Sequence, residues 1–169
     1  MRIYLIGYSY SGKTTMGRQL AEKLGYRYFD TDKAIELRYH TTIPLFFSRY
    51  GEKAFRIIES ETLRDTADLD DVVVATGGGL ACNDENIRFI LEHGTAIYLE
   101  MSVDDIMNRI AHARKGRPSM KGMDMEEKRR FVTRQLEERV PFYSRAQLKI
   151  AAYNTSAEAL EQLLKNSNI

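Results

Sequence analysis

The strongest constraint on how this chain can fold is a glycine-rich segment near its start, residues 7–14, with the sequence GYSYSGKT. Its spacing, G-x-x-x-x-G-K-[ST], is typical of loops that hold phosphate groups. The apolar run Ile3–Ile6 before it has the length of a strand, and a helical pattern begins at Lys13. A strand, this loop and a helix in succession predict an α/β fold with a phosphate site in its first turn.

The two glycines of the loop determine its backbone shape. Gly7 and Gly12 permit conformations that a Cβ atom would obstruct. Successive N–H groups, including those of Tyr10 and Ser11, can therefore point inward at the helix N-terminus and hold phosphate oxygens. The loop is predicted to bind the phosphates of a nucleotide.

The polar side chains that follow suit ATP and its metal ion. Lys13 would place a point charge on the β- and γ-phosphate oxygens, and Thr15 would donate to phosphate as well. The Thr14 hydroxyl would be a ligand of the Mg²⁺ ion that bridges these oxygens. These residues predict phosphoryl transfer from ATP, with Lys13 as a catalytic residue.

Further apolar runs of strand length alternate with helical stretches along the chain. Continuous apolar runs separated by helices predict a parallel sheet covered on both faces. In a sheet with one solvent-exposed face, the strands would alternate apolar and polar residues. The expected fold is a three-layer α/β/α domain. The predicted strands are Ile3–Ile6, Arg27–Phe29, Val72–Ala75, Ala96–Leu99 and Leu148–Ala151, and the predicted helices are Lys13–Leu24, Gly51–Ala67, Glu85–Glu92, Val103–Ala113, Glu126–Arg139 and Ser156–Lys165.

Composition agrees with a single domain over residues 1–169 and narrows the possible partners. The chain is 43% hydrophobic, which suffices for one core, and no repeat or linker divides it. Lys and Arg number 25 against 24 for Asp and Glu, so we expect no nucleic-acid partner. No apolar run has the length of a membrane span. The single cysteine, Cys82, excludes an intrachain disulfide and favours the cytoplasm.

Two carboxylates follow the second predicted strand, in the sequence Asp30-Thr31-Asp32. Ligands of open α/β sheets bind at the carboxyl ends of the strands. One carboxylate can hold magnesium through water, while the other accepts a hydrogen bond from an attacking hydroxyl group and orients it. The alternative role is a helix N-cap, which Asp and Thr favour, and the two roles are compatible.

Arg56 and Glu59 lie three residues apart on a predicted helix, so the carboxylate can fix the guanidinium group. An arginine held in this way can bind a carboxylate through two hydrogen bonds. The alternative is an ordinary ion pair on the surface.

Three consecutive glycines, Gly77, Gly78 and Gly79, follow the predicted strand Val72–Ala75. They remove side chains where a ligand must approach the backbone closely. A plain turn is the alternative, although it needs only one or two glycines. We expect the N–H groups of this loop to meet the γ-phosphate or hydroxyl groups of the acceptor.

Residues 114–124, with the sequence RKGRPSMKGMD, carry four Lys or Arg residues and little apolar content to dock them on a core. They predict a mobile basic lid whose Arg117 could close over the phosphates. The alternative is a solvated surface loop. Arg139, at the end of the next predicted helix, is a further candidate for contact with an anion.

Six motifs, in this order across about residues 3–145, resemble those of the shikimate kinase family. They are the phosphate loop, D-T-D, F-R-x-x-E at residues 55–59, G-G-G, R-P at residues 117–118 and E-R-x-P-x-Y at residues 138–143. The resemblance implies a P-loop NTPase fold like that of nucleoside monophosphate kinases, with strand order 2-3-1-4-5. A substrate-binding region at about residues 31–60 and a mobile lid at about residues 112–124 would complete it.

The resemblance also implies a reaction and its setting. Shikimate kinases use MgATP to phosphorylate the 3-hydroxyl group of shikimate, a step toward chorismate and the aromatic amino acids. They are cytoplasmic and usually monomeric. The partners expected for this chain are therefore ATP and shikimate.

Individual residues take roles from the same resemblance. Asp32 corresponds to the carboxylate that binds the acceptor hydroxyl, and Asp30 to the one near magnesium. Arg56 and Arg139 correspond to the clamp on the substrate carboxylate. The remaining assignments are contacts to shikimate from Gly77, Gly78 and Gly79, contact to the ATP phosphates from the lid arginine Arg117, and contacts to the ring of shikimate from Ile43, Phe47 and Phe55.

Two departures from the family pattern concern the nucleotide. Tyr10 stands where family loops usually have glycine, so its side chain must leave the loop sideways. Residues 152–155, AYNT, lack the Arg/Asn-Pro pattern that often lies under adenine, which leaves Arg109 as the residue expected to stack on the base. Two other functions stay open at this stage: a gluconate kinase or similar small-molecule kinase, and a nucleotide-binding sensor without catalysis.

Overall fold

Five parallel strands form one sheet in the computed structural model, which describes residues 1–113 and 118–167. The strands are β1 (Arg2–Ile6), β2 (Arg27–Asp30), β3 (Val72–Ala75), β4 (Thr95–Glu100) and β5 (Leu148–Ala151). Their spatial order is β2-β3-β1-β4-β5, and every neighbouring pair is parallel. The predicted sheet and its strand order are confirmed, with strand ends that differ by at most one residue.

Seven α-helices in the described part of the chain surround this sheet. None of them, within residues 1–113 and 118–167, combines the length and apolar character that crossing a membrane requires. The helices are α1 (Lys13–Leu24), α2 (Thr31–Tyr39), α3 (Ile43–Arg64), α4 (Asp84–His93), α5 (Val103–His112), α6 (Met125–Tyr143) and α7 (Ala157–Asn166).

The centre of the core is the middle of the sheet. Residues 3–6 of β1 have no exposed surface, and β3 is buried along its whole length, so helices cover both faces there. The strand β5 alternates half-buried and exposed residues because it lies at the sheet edge. In the ladder, Leu5 of β1 and Asp30 of β2 both pair with Ala75 of β3. The segments that follow these three strands therefore leave the sheet side by side.

The substrate-binding region contains two helices where we predicted one. The expected helix Gly51–Ala67 is wrong at its start, since α3 begins at Ile43 and passes through a kink at Gly51. The backbone of Gly51 has φ 80° and ψ 172°, which breaks the helical geometry without ending the helix. The whole of α2 precedes it, and α3 passes at its carboxyl end into a short 3₁₀ turn, Asp65–Asp68.

The predicted lid is partly described. Residues 114–117 lie outside the described part of the chain, and these include Arg117. After them, Pro118–Met120 forms one 3₁₀ turn, and Met120 is 4% exposed within the main core. The expectation that little of this segment would dock on the core is therefore wrong for Met120.

The helix α6 extends beyond its predicted end at Arg139, to Tyr143, with Pro141 inside its last turn. A proline at this place removes a single backbone donor, and the turn continues. This extension gives Arg139 and Tyr143 neighbouring positions on one face of α6, since they are four residues apart.

Candidate active site

The phosphate loop requires glycine at both of its predicted positions. Gly7 has φ 143°, and a Cβ atom there would lie 2.7 Å from the carbonyl oxygen of Leu99 in β4. Gly12 has φ 88° and is the residue that precedes α1. The loop between them is closed by a hydrogen bond from the Ser11 N–H to the Tyr8 carbonyl oxygen at 3.2 Å. These contacts place the loop directly at the N-terminus of α1.

Tyr10 adopts the left-handed conformation that explains why a glycine would suit its position. Its φ is 71°, a region that residues with a side chain rarely occupy. One terminal nitrogen of Arg109 donates to the Tyr10 carbonyl oxygen, and the other donates to that of Ala152 at 3.3 Å. Arg109 therefore braces the phosphate loop against the segment after β5, while its contact with adenine stays a prediction.

Lys13 is inside the phosphate loop. It is only 7% exposed, and its ammonium group donates to the carbonyl oxygens of Gly7 and Tyr8, each at 2.8 Å, and to the Ser11 hydroxyl at 3.2 Å. Thr14 and Thr15 follow it as exposed residues in the first turn of α1. The loop therefore presents a positive charge and two hydroxyl groups at one helix end.

Asp30 links the phosphate loop to the second strand. Its Oδ2 accepts hydrogen bonds from the Thr14 hydroxyl at 3.1 Å and from the Tyr28 hydroxyl at 3.0 Å. Its Oδ1 caps α2 by accepting from the Lys33 N–H at 3.1 Å. The helix-cap alternative is thus confirmed for Asp30. Its other oxygen, Oδ2, faces Thr14 at the end of the phosphate loop.

Tyr28 was not among the predicted site residues, although its position two residues before Asp30 puts both side chains on one face of β2. Burial, followed by the charge of Asp30 and the hydrogen bond to it, raises the pKa of the Tyr28 hydroxyl well above its usual value. The hydroxyl therefore remains a donor to Asp30 at neutral pH.

The acceptor side is assembled around the three glycines after β3. The Gly77 N–H donates to the buried Thr31 hydroxyl at 2.9 Å. A Cβ atom on Gly77 would lie 2.7 Å from Oδ1 of Asp32 and 2.7 Å from Oε1 of Glu59. Two carboxylates from two helices therefore lie against the same glycine, and a side chain at this position would have to displace them.

Arg56 lies against the next part of this loop. Its Nη1 donates to Oε2 of Glu59 at 2.6 Å and its Nη2 to Oε1 of Glu52 at 3.3 Å. A Cβ atom on Gly79 would lie 2.6 Å from Nη1 of Arg56. Since Glu59 is only 2% exposed, the alternative of an ordinary surface ion pair is wrong for this pair.

Burial controls the ionisation of Glu59. It raises the pKa of this carboxyl group to about 7, against the attraction of Arg56 and with some repulsion from Asp32, while Arg139 opposes the rise. The group is therefore poised to change charge close to neutral pH. Its neighbour Arg56 is also affected by burial, but the charges of Glu59 and Glu52 outweigh it and raise the pKa of the guanidinium.

Arg139 approaches the glycine loop from the opposite side, on α6. Its Nη1 donates to the Gly78 carbonyl oxygen at 3.4 Å, and its guanidinium carbon lies 5.5 Å from the ring centroid of Tyr8. A Cβ atom on Gly78 would lie 2.5 Å from the Ser9 hydroxyl oxygen in the phosphate loop. The structure thus brings Arg56 and Arg139 to one short loop that touches the phosphate loop.

The three apolar residues predicted to contact the ring of shikimate belong to a small second core. Phe55 is buried with Ile35 and Phe46, and Ile43 and Phe47 pack against this cluster. The rings of Phe47 and Phe55 lie 4.5 Å apart. These residues support α3 beneath Arg56, whose guanidinium carbon is 5.5 Å from the Phe55 ring centroid.

A groove of about 820 Å³ lies elsewhere, on the outer side of α2 and α3. Its lining residues lie between positions 39 and 58, inside the predicted substrate-binding region of about residues 31–60, but none of the side chains predicted individually for the site is among them. Its lining is largely apolar and includes Tyr39, Leu45, Phe46, Tyr50 and Ile57. The candidate site is therefore defined by its convergent polar groups and not by this groove.

Comparisons with known proteins agree with this geometry. The family model for shikimate kinase matches residues 10–167. A shikimate kinase of Parabacteroides distasonis is 39% identical over 158 residues, which cover 94% of this chain and 91% of that relative.

Solved structures show the same likeness. The crystal structure of a shikimate kinase from Bacteroides thetaiotaomicron has a TM-score of 0.92 at 33% identity, covering 100% of this chain and 99% of the other. That of the Acinetobacter baumannii shikimate kinase in complex with shikimate has a TM-score of 0.86 at 34% identity, covering 99% of this chain and 93% of the other. These matches favour a shikimate kinase over the gluconate kinase and the sensor that the residues alone left open. The chain belongs to the shikimate kinase family.

Proposed function

We propose that this shikimate kinase holds ATP on the phosphate loop and shikimate between Asp32, Arg56 and Arg139, and that it phosphorylates the 3-hydroxyl group to give shikimate 3-phosphate and ADP. One observation carries these roles. The loop of Gly77, Gly78 and Gly79 lies against the phosphate loop and against the side-chain carboxylate of Asp32. The guanidinium groups of both arginines lie against it as well. A donor and an acceptor bound to these groups would therefore lie next to each other, which phosphoryl transfer requires.

On the nucleotide side, the proposed work is positioning and charge neutralisation. Main-chain N–H groups of residues 7–12 would hold phosphate oxygens, with Lys13 on the β- and γ-phosphates and Thr15 as an additional donor. Arg109 would contact the base. Arg117, which lies outside the described residues, is proposed to close over the phosphates as charge develops in the transition state.

Thr14 and Asp30 fit a magnesium site. The Thr14 hydroxyl and Asp30 Oδ2 are 3.1 Å apart, and Mg²⁺ prefers oxygen ligands of these two types. We propose that Thr14 binds the ion directly and that Asp30 holds it through water. When bound, Mg²⁺ would neutralise charge on the β- and γ-phosphate oxygens.

On the acceptor side, two arginines are proposed to hold the carboxylate of shikimate, since a guanidinium group can bind a carboxylate through two hydrogen bonds. Asp32 would accept a hydrogen bond from the attacking hydroxyl and receive its proton during transfer. The N–H groups of Gly78 and Gly79 would meet other hydroxyl groups of the ring, since the Gly77 N–H already donates to Thr31. Asp32 lies at Gly77, at the centre of this arrangement.

Release of ADP, measured with shikimate, quinate and gluconate as acceptors, tests the substrate. We expect release with shikimate and none with gluconate. Asp32→Asn should lower kcat about a hundredfold or more, while ATP binding changes little. Equal turnover in this variant would contradict the role of Asp32.

The arginine clamp has a matched control on its own helix. Arg139→Ala should raise KM for shikimate roughly ten- to a hundredfold, because a charged hydrogen bond is lost. Arg130→Ala removes an exposed arginine that pairs with Glu126 on α6, and it should leave KM unchanged. Equal effects of the two variants would show that Arg139 does not hold the carboxylate.

We propose further that residues 1–169 form one domain and that the enzyme acts as a cytoplasmic monomer without a nucleic-acid partner. The balance of charges and the single cysteine support this proposal. Light scattering of the purified protein at working concentration tests the monomer, and a mass of twice the chain would contradict it.

A further inference from the structure

The Gly78 carbonyl oxygen accepts hydrogen bonds from more side chains than a carbonyl needs. The Tyr143 hydroxyl donates to it at 2.5 Å, Nη1 of Arg139 at 3.4 Å and the Cys82 thiol at 3.8 Å. A carbonyl oxygen has two lone pairs, so these donors compete for it. The Tyr143 hydroxyl makes the shortest contact, whereas Arg139 makes a long one.

Tyr143 is held rigidly in the position from which it donates. The residue has no exposed surface, and its ring stacks on that of Tyr98 in β4 with centroids 5.2 Å apart. Burial, reinforced by the neighbouring Cys82, raises the pKa of the Tyr143 hydroxyl well above its usual value, so it keeps its proton at neutral pH. The sheet and α6 therefore both fix the direction of this donor.

The residue whose carbonyl Tyr143 holds is packed closely on its other side. The Cα atom of Gly78 faces Ser9 of the phosphate loop so closely that a Cβ atom would be 2.5 Å from the Ser9 hydroxyl. Its neighbours Gly77 and Gly79 face Asp32 and Arg56 in the same way. The orientation of the peptide group that follows Gly78 therefore affects the loop next to both Asp32 and Arg56.

We propose that Tyr143 is a positioning residue for the acceptor: its hydroxyl occupies the Gly78 carbonyl, which leaves the Arg139 guanidinium available for the carboxylate. This inference rests on the proposed function of Arg139 and the glycine loop. Tyr143 acts through these groups and does not itself touch the substrate. Without its hydroxyl, Arg139 becomes the main donor to the carbonyl and is drawn away from the acceptor.

Tyr143→Phe tests the inference because it keeps the stacked ring and removes only the donor. We expect kcat/KM for shikimate to fall roughly five- to tenfold, mainly through KM, as expected for one lost hydrogen bond. The dissociation constant of ATP should stay within about twofold, since the phosphate loop keeps its own hydrogen bonds. Tyr98→Phe, which removes a hydroxyl from the other ring of the same stack, is the matched control and should leave both constants unchanged.

A double-mutant cycle separates positioning from general loosening of the fold. If Tyr143 acts through Arg139, the effect of Tyr143→Phe on KM should shrink to within about twofold in an Arg139→Ala background. Full additivity in the cycle, or a KM in Tyr143→Phe equal to that of the parent, would overturn the inference. Any loss of folded protein is corrected by the folded fraction from circular dichroism, measured at the assay temperature.

The parent enzyme in the same assay keeps the two hypotheses apart. If the parent releases no ADP with shikimate, the proposed function itself fails. If the parent turns over shikimate and Tyr143→Phe matches it, only the role of Tyr143 fails.

Discussion

Glu59 shows how one buried side chain can make substrate binding depend on pH. Its carboxyl group lies between Arg56 and Gly77, and burial raises its pKa to about 7. Above this pH it is ionised and neutralises part of the charge on Arg56. Below it the group is protonated, and the proposed arginine clamp gains net positive charge with which to bind an anionic carboxylate.

We therefore predict that KM for shikimate falls, by up to about tenfold, as the pH is lowered from 8 to 6. The direction follows from the raised pKa, since protonation of Glu59 removes a negative charge that competes with the substrate. Asp32 faces the same group as a second negative charge, and Arg139 as a positive one. The measurement is the pH profile of KM, with ATP at saturation.

Glu59→Gln should flatten this profile, because the titrating group is gone. Glu52→Gln is the control, since Glu52 also pairs with Arg56 but is largely exposed. It should keep the pH dependence of the parent. A profile that Glu59→Gln leaves unchanged would assign the titration to another group.

Individual contacts of this kind could not be predicted from the sequence. The spacing of Arg56 and Glu59 predicted their pairing, which is confirmed, but not that the carboxyl group is buried beneath Gly77. The hydrogen bond from Tyr143 to Gly78 joins residues 65 positions apart, and periodicity carries no information at that range. The sequence of a loop shows which hydrogen-bonding groups it contains, but it does not show which distant residues orient those groups.

Among the elements of the fold, α3 contains the clearest break in regular geometry. Gly51 has φ 80° and ψ 172°, a combination that essentially only glycine adopts. The two halves of the helix on either side of it both contribute to the packing around Phe46 and Phe55. The sequence predicted a helix start at this glycine, because a break and a kink have the same local signal.

Gly51→Asn should lower the free energy of unfolding by about 1–3 kcal/mol, through backbone strain alone. Apart from the adjoining backbone, no atom of the described chain lies within 4 Å of the Cβ position in either Gly51 or Gly25, so crowding by tertiary contacts does not contribute. Gly25→Asn is the control: Gly25 ends α1 with φ 68° and ψ 26°, a left-handed conformation that Asn accepts. It should cost less than about 1 kcal/mol in urea denaturation. Equal losses in the two variants would contradict this explanation.

For the whole molecule, the order of strands brings the functional loops together. The strands β2, β3 and β1 are neighbours, so the segments after them bring Asp32 at the start of α2, the three glycines and Lys13 at the start of α1 to one edge of the sheet. The alternation of strands and helices predicted the parallel sheet, and the family resemblance predicted the strand order. The predicted site residues in the described part of the chain lie along this edge or brace it.

Because the segments that carry Asp32 and the three glycines would contact shikimate, its binding should stabilise the fold as a whole. At a shikimate concentration 100 times its dissociation constant, the free energy of unfolding should rise by about 2.7 kcal/mol. For a chain of 169 residues this corresponds to a rise in Tm of roughly 5–10 °C. Thermal unfolding with gluconate at the same concentration is the control. A gluconate shift as large as the shikimate shift would contradict the specificity of the site.

The bare Cα atom of Gly78 has a consequence for how the two substrates can meet. With no side chain between this residue and Ser9, the backbone proposed to serve the acceptor lies directly against the backbone proposed to serve the donor. Even a single methyl group inserted at that junction would act as a wedge and force the two surfaces apart. If both substrates bind as proposed, the missing Cβ atom of Gly78 is what lets their reacting groups approach each other.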